Sequence, residues 1–295
     1  MRLQDLKDNR DQDFERIRDQ VDRDLYEIRD KSSQRRLLKR LEEALYEVDR
    51  KDVWAKIRDC SVGQRCGSLW CPVCRNSAAQ SAQQHIQDRV RLKGYQNKDL
   101  LHLTAPVGLA LLHVDDVNRI MKEEALRWKR IRKKNNFWIE ATYEFELVNY
   151  HFLMKSKGSD LKKIQMKQMV EASKIGKNEF LFVHWHGVTD IRQDEVDKVF
   201  SHEYFIGSDR LHKTSTSGLY VQGFRLDQDL IENIRKVSSY PFKSVYRFKH
   251  NFKGSDFSNG EYLTTEELGR LVSLYDDIQG RQWRKLRRHC GKDEG

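Results

Sequence analysis

Residues 180–191 read FLFVHWHGVTDI, and no other stretch of the chain restricts the fold as strongly. The run is aromatic and β-branched, which predicts a strand over Phe180–Ile191. The apolar residues ahead of His184 place that strand at the centre of a sheet. Side chains alternate along a strand, so His184 and His186 share one face. Trp185 points the other way with Leu181 and Val183, into a core. Two imidazoles one residue apart on a rigid strand can bind a single divalent ion. The plainer alternative is a pair of satisfied histidines on a buried strand.

Phe137–Val148 (FWIEATYEFELV) alternates in the same way and predicts a second strand. Glu140, Glu144 and Glu146 have even spacing and face one side of it. If this strand pairs with the histidine strand, one carboxylate supplies a third ligand, Glu140 first and Glu144 second. Two nitrogens and an oxygen suit Mg²⁺ or Mn²⁺ during turnover, although zinc or nickel could occupy such a site in vitro. Three protein ligands leave positions open for a substrate oxygen. A solvated strand face is the other reading of the glutamates.

Four of the five cysteines crowd into fifteen residues, CSVGQRCGSLWCPVC. Cys71 and Cys74 can converge on one metal across a tight turn that Pro72 stiffens. Cys60 and Cys66 complete a tetrahedral site, which predicts structural zinc. An odd cysteine count without a secretion signal argues against a disulfide framework. Reduced buried thiols are the alternative, and Cys290 stands alone.

The chain has 295 residues and a net charge of +10, with 34% charged residues. The excess of positive charge favours a polyanionic partner, most simply nucleic acid. No apolar stretch nears the roughly 20 residues that span a bilayer, and the first residues carry no apolar signal core, so a cytoplasmic (bacterial) protein without membrane contact is expected. Neither G-x-G-x-x-G nor G-x-x-x-x-G-K-[ST] occurs, which argues against nucleotide-driven chemistry.

Apolar residues recur every three or four positions from Leu3 to Ile28 and again from Leu37 to Val48. They predict a helical arm over 1–58 with a break at Ser32-Ser33, suited to packing or to homodimerisation. The cysteine element with a helix from about Ser77 to Arg91 occupies 59–94. A third unit, 95–255, holds an apolar β-type run at Leu100–Pro106, a helix over 115–135 ending in RWKRIRKK, and the two strands above. A polar insertion lies at about 150–179. A helix over 193–200, a strand over 218–226 and a helix over 227–238 follow. Residues 256–295 are read as loop and then a basic helix from about Thr265 to His289.

Between Arg235 and Lys249 stand five cations and no acid: Arg235, Lys236, Lys243, Arg247 and Lys249. Tyr240, Phe242, Tyr246 and Phe248 interleave with them. Cations for phosphates and aromatic faces for bases suit single-stranded DNA. Tyr240-Pro-Phe-Lys243 puts a phenol and an ammonium one helical turn apart. Tyr246-Arg-Phe-Lys249 repeats the pattern and makes Tyr246 the alternative nucleophile. A basic loop over a small core is the other reading.

In chain order, the cysteine cluster, LHLTAP, HWHGVTD and YPFK together resemble the HUH endonucleases, specifically the rolling-circle replication initiators of small plasmids. Leu101–Thr104 corresponds to the family's first motif, His184 and His186 to its second, and Tyr240 with Lys243 to its third. E-A-T-Y at Glu140–Tyr143 is similar to an E-V-T-Y strand of one branch that also carries a cysteine-rich segment. The resemblance covers roughly residues 58–250. It implies an antiparallel sheet with ferredoxin-like units, and nicking and rejoining of single-stranded or hairpin origin DNA. Tyr240 would form a 5′-phosphotyrosine assisted by the metal, with Lys243 neutralising charge, and a host helicase and polymerase would take over the freed 3′ end. Some family members place a glutamate one turn before the tyrosine to activate water at termination. Here that position is Lys236, and Glu232 lies about two turns earlier. A transposase or relaxase would share the catalytic parts. A non-catalytic zinc-dependent DNA-binding protein would need only the cysteines and the basic stretches.

Overall fold

The computed structural model describes residues 31–61, 63–155, 161–173, 175, 179–201, 203, 205–206, 218–239, 242, 263–279 and 287–290. Residues 1–30 of the expected arm lie outside the described residues. Helix α1 (Lys31–Glu47) buries Leu37, Leu41, Ala44 and Leu45, an amphipathic stripe at helical spacing. It begins at Lys31, beside the break expected at Ser32-Ser33, and what precedes it lies outside the described residues. A turn follows at Asp49, whose φ of 53° is left-handed, and leads into α2 (Lys51–Arg58). Helix α3 (Pro72–Lys93) begins five residues before the expected start. Cys71 is extended at its N-cap, Pro72 occupies the first turn, and Gly94 at φ 68° closes the far end.

Three ten-residue strands form the centre: β1 (Leu101–Ala110), β2 (Ile139–Val148) and β3 (Phe180–Thr189). Strand β3 lies between β1 and β2 and is antiparallel to both, so β1 and β2 run parallel. Helix α4 (Val114–Lys134) makes the crossover between them. After β3 the chain passes through α7 (Val196–Phe200) and β4 (Phe205–Ile206) and returns as β5 (Gly218–Gly223), antiparallel to β1. Strand β6 (Arg287–Cys290) pairs with β2, and the full order is β4-β5-β1-β3-β2-β6, with β4 parallel to β5. The protein is therefore α+β around a sheet that is antiparallel except where β4 joins its edge. The expected helix from Thr265 to His289 is corrected: α9 (Thr265–Gln279) ends at Gln279, and residues 287–290 instead satisfy the open edge of β2.

Strand β1 outruns its expected end at Pro106 because a bulge between Pro106 and Gly108 absorbs the proline. The extra residue flips the alternation, so Leu109 joins Phe182 rather than the face of Leu103. Leu181, Val183 and Trp185 do point away from the histidines, into the main core with α4. There the Trp185 indole donates to fully buried Glu124 at 2.9 Å, and Arg127 pairs with the same carboxylate at 2.6 Å. Trp128 packs on Trp185 with centroids 5.2 Å apart.

The histidine face has two separate covers. The polar insertion supplies one, as helices α5 (Tyr150–Lys155) and α6 (Leu161–Ala172), with Leu153, Met166 and Met169 over Phe180 and Phe182. At the other end α3 and α8 (Leu230–Ser239) place Ile86, Val90 and Ile234 against Trp138 and Val188. Asp190 fastens this end: it accepts from Arg89 and Tyr95, each at 2.9 Å, and from the Trp138 amide at 3.1 Å. His184 and His186 lie on β3 between the residues that these two covers bury.

Candidate metal centres

The register sets the site. Glu144 stands opposite His184 and Thr142 opposite His186 on one side, with Thr104 opposite His186 on the other. Even-numbered residues of all three strands therefore meet on one face. Glu144 Oε2 lies 3.2 Å from His184 Nε2 and 3.3 Å from His186 Nε2, and all three residues are buried. Ligands held about 2.1 Å from one ion are about 3.0 Å apart in an octahedron and about 3.4 Å in a tetrahedron. The observed edges fall between these values, so the trio could hold a metal ion.

The carboxylate that reaches the histidines is Glu144, where the strand pattern ranked Glu140 first. Glu140 is one repeat of the alternation too far along: it stands opposite Val188, and its Oε2 is 3.6 Å from His85 Nδ1 on α3. Thr104 Oγ1 is 2.9 Å from His186 Nδ1. With the hydroxyl accepting from Nδ1–H, Nε2 keeps its lone pair for an ion. Burial holds His186 well below its usual pKa, and so neutral, against the opposing pull of Glu144. A third imidazole, His102, stacks on His186 at 5.6 Å and 14° between planes. Burial pushes His102 down to about 4, so it adds bulk without charge. Sequence reasoning placed Thr104 and His102 in the first motif but missed that both pack against His186. The signal was available in LHLT, where both share the parity of the paired strand.

Beside the trio lies a cavity lined by Ala82, Ile86, Glu140, Thr142, His186 and Ser238, among others. Its ≈ 10 Å³ is room for about one water molecule. Ser238 belongs to the last turn of α8, two residues before Tyr240. Tyr240, Lys243, Tyr246, Arg247 and Lys249 lie outside the described residues. Phe242 is described and packs in a pocket formed with Ala78 and Ala82 of α3.

Arg235 and Lys236, expected to face DNA, both pair with Glu232 on their own helix, at 2.7 and 3.3 Å. Those hydrogen bonds, from Arg235 foremost, lower Glu232 to about 2. Helix α8 is unbroken, but a carboxylate so firmly ionised is a poor proton acceptor.

The four cysteines form a second group that could hold a metal. Cys74 Sγ lies 3.5 Å from Cys60 Sγ and 3.7 Å from Cys66 Sγ. Both separations far exceed a disulfide bond of about 2.05 Å. They approach the edge of about 3.8 Å expected of four sulfurs around zinc at about 2.3 Å. Hydrogen bonds from Cys66 and Cys71, with help from the Gly67 amide, hold Cys74 well below the ordinary thiol range. Cys71 at the N-cap and Cys74 in the first turn also sit at the positive end of α3, where thiolates are favoured.

Comparison with protein-family models, with curated proteins and with solved structures returns no match. Among the described residues no helix is long and apolar enough to cross a membrane.

Proposed function

We propose that the protein is a metal-dependent single-strand DNA nickase and strand transferase of the HUH kind, acting as a rolling-circle replication initiator. The observation that carries this reading is the buried Glu144–His184–His186 trio on the central strands, beside the end of α8 that leads into Tyr240. The order β5-β1-β3-β2, with α4 and α7 in the two crossovers, is compatible with a ferredoxin-like sheet and supports the reading. The Cys₄ group is read as structural zinc fixing the start of α3.

Glu144, His184 and His186 would hold the ion, with Thr104 keeping His186 in the ligating tautomer. A bound Mg²⁺ or Mn²⁺ would draw charge from the scissile phosphate and orient it. Tyr240 attacks in line: its oxygen bonds to phosphorus, the P–O3′ bond breaks, and the electron pair leaves with the 3′ oxygen. The products are a 5′-phosphotyrosine and a free 3′-OH: the phenol proton passes to solvent and the leaving 3′ oxygen takes one from solvent. Lys243 neutralises charge that develops on the phosphate. One phosphoester replaces another, so no ATP is needed. Arg247 and Lys249 contribute phosphate contacts.

The test is incubation of the full chain with Mn²⁺ and a single-stranded DNA library of randomised sequence, followed by mass mapping of any peptide–DNA adduct. An adduct on Tyr240 that disappears in Tyr240→Phe is the expected result. An adduct on Tyr246 moves the nucleophile. Binding without cleavage under every divalent ion favours the non-catalytic zinc protein. Transposases and relaxases share this chemistry and would give the same adduct.

A further inference from the structure

Strand β2 carries Glu144, and its outer edge changes partner along its length. Strand β6 pairs with Ile139–Thr142. At Phe145 the partner is a side chain, Tyr275 of α9. Its hydroxyl accepts from the Phe145 amide at 3.1 Å and donates to the Phe145 carbonyl oxygen at 3.4 Å. One phenol thus makes both hydrogen bonds that a neighbouring strand would make. Residues of a strand turn their amide and carbonyl to alternate edges, so Phe145 faces outward and Glu144 faces β3, where His184 stands opposite it. The backbone at Glu144 is therefore held from two sides, by β3 and by Tyr275. Tyr275 is itself firmly placed. Its ring packs on Phe145 with centroids 5.1 Å apart, inside the main core. Burial raises the phenol above its usual pKa, against the pull of the Phe145 amide, so it keeps the proton it donates. Helix α9 lies against α1. The two residues after Tyr275 are clamped from α2 and its N-cap, Asp276 by Lys56 at 2.8 Å and Asp277 by Arg50 at 3.0 Å.

We infer that Tyr275 is a positioning residue for the metal centre: by closing the outer edge of β2 it fixes the Glu144 carboxylate against His184 and His186, with the α1–α9 pair as the brace behind it. This rests on the reading above only in that the trio holds an ion, and it is independent of the nucleophile and of the nucleic acid. A ligand is only as well placed as the backbone that bears it. Without the hydroxyl, a buried amide and a buried carbonyl at Phe145 lose their partner, and the strand shifts to find another. The shift acts on the next residue, Glu144, whose Oε2 must stay within about 3.3 Å of both imidazole nitrogens to share an ion with them. The described part of the N-terminal helical arm thereby gains a role beyond packing.

The test is Mn²⁺ binding by the full chain, followed by electron paramagnetic resonance and without any DNA. Mn²⁺ is the probe because thiolates select softer ions, so the cysteine group does not compete for it. Tyr275→Phe keeps the ring and removes only the hydroxyl. Leu268→Ala, two turns away on α9, weakens the packing of the same buried helix and leaves the hydroxyl in place. In Tyr275→Phe the Mn²⁺ affinity should fall by roughly 10-fold, the low end of what loss of an outer-shell partner costs a metal site. The zero-field splitting of the bound ion should change with it, and hydrogen exchange should quicken first at the Phe145 amide. In Leu268→Ala the melting temperature should fall while affinity and splitting stay at wild-type values, which a merely stabilising role for α9 would not allow. Wild-type affinity and splitting in Tyr275→Phe overturn the inference and leave the metal centre standing. Equal loss of affinity in both variants also overturns it, since α9 then acts through general stability. If the wild-type protein binds no Mn²⁺, the metal reading of the trio fails and this inference with it.

Discussion

Two glutamates four residues apart on one strand face have different neighbours. Glu144 meets both imidazoles, whereas Glu140 meets a cavity and His85. Calorimetry with Mn²⁺ should separate them: Glu144→Gln loses most of the affinity, and Glu140→Gln keeps it. Equal loss in both would mean that the ion bridges the two carboxylates. Glu232 gives a residue-level prediction with a definite sign. Hydrogen bonds from Arg235, and then from Lys236, place its folded pKa at about 2, below the ordinary glutamate value. A depressed acid stabilises the fold at pH above its unfolded pKa of about 4.3. That contribution fades as pH falls through this value toward about 2. Melting temperatures taken from pH 6 down to pH 2.5 should therefore fall less steeply for Glu232→Gln than for the wild type. Glu232 is 39% exposed, so screening keeps the difference small.

At the scale of elements, what the sequence made legible follows from how local the signal is. The histidine strand, the glutamate strand and the α4 crossover announce themselves by period and composition, and each lies within two or three residues of its expected bounds. The choice between Glu140 and Glu144 was not legible, because both satisfy the alternation and only the β2–β3 register separates them. Strand β6 was missed for a related reason: RRHC has no apolar alternation, and its strand state comes from the bare edge of β2. The polar insertion hid α5 and α6, whose described core residues are the scattered Leu153, Met166, Met169 and Val170. The crossing of α1 and α9 was equally silent in sequence. A Cβ added at Gly269 would collide with the Ala44 carbonyl oxygen and lie 2.9 Å from both Val48 methyls. Backbone cannot yield as a flexible side chain can, so Gly269→Ala should cost about 1–3 kcal/mol, read from the urea midpoint. An unchanged midpoint would mean that the two helices do not approach this closely.

At the scale of the whole molecule, α3 carries two of the four cysteines at its start and lines the cavity beside the Glu144–His184–His186 trio farther along. Cys71 and Cys74 occupy its first turn, Ala78 and Ala82 hold Phe242, and Ile86 lies under Val188 and Ile234 with His85 against Glu140. A long helix is held by tertiary packing more than by propensity, and α3 has Ser, Asn and Gln through its middle. Its start therefore depends on the cysteine group, and whatever loosens that start also loosens the wall of the cavity. Purified protein should carry about one tightly held zinc per chain if the group is filled as proposed. Cys74→Ser should remove it and lower hydrogen-exchange protection first at the α3 amides from Arg75 to Ile86, while β1 and β3 stay protected. Mn²⁺ affinity should survive, because Glu144, His184 and His186 all stand on strands, but adduct formation should drop, because the α3 surface under Phe242 is no longer fixed. Protection of α3 at the wild-type level after zinc loss would show that the sheet alone holds the helix, and the two centres would then be independent.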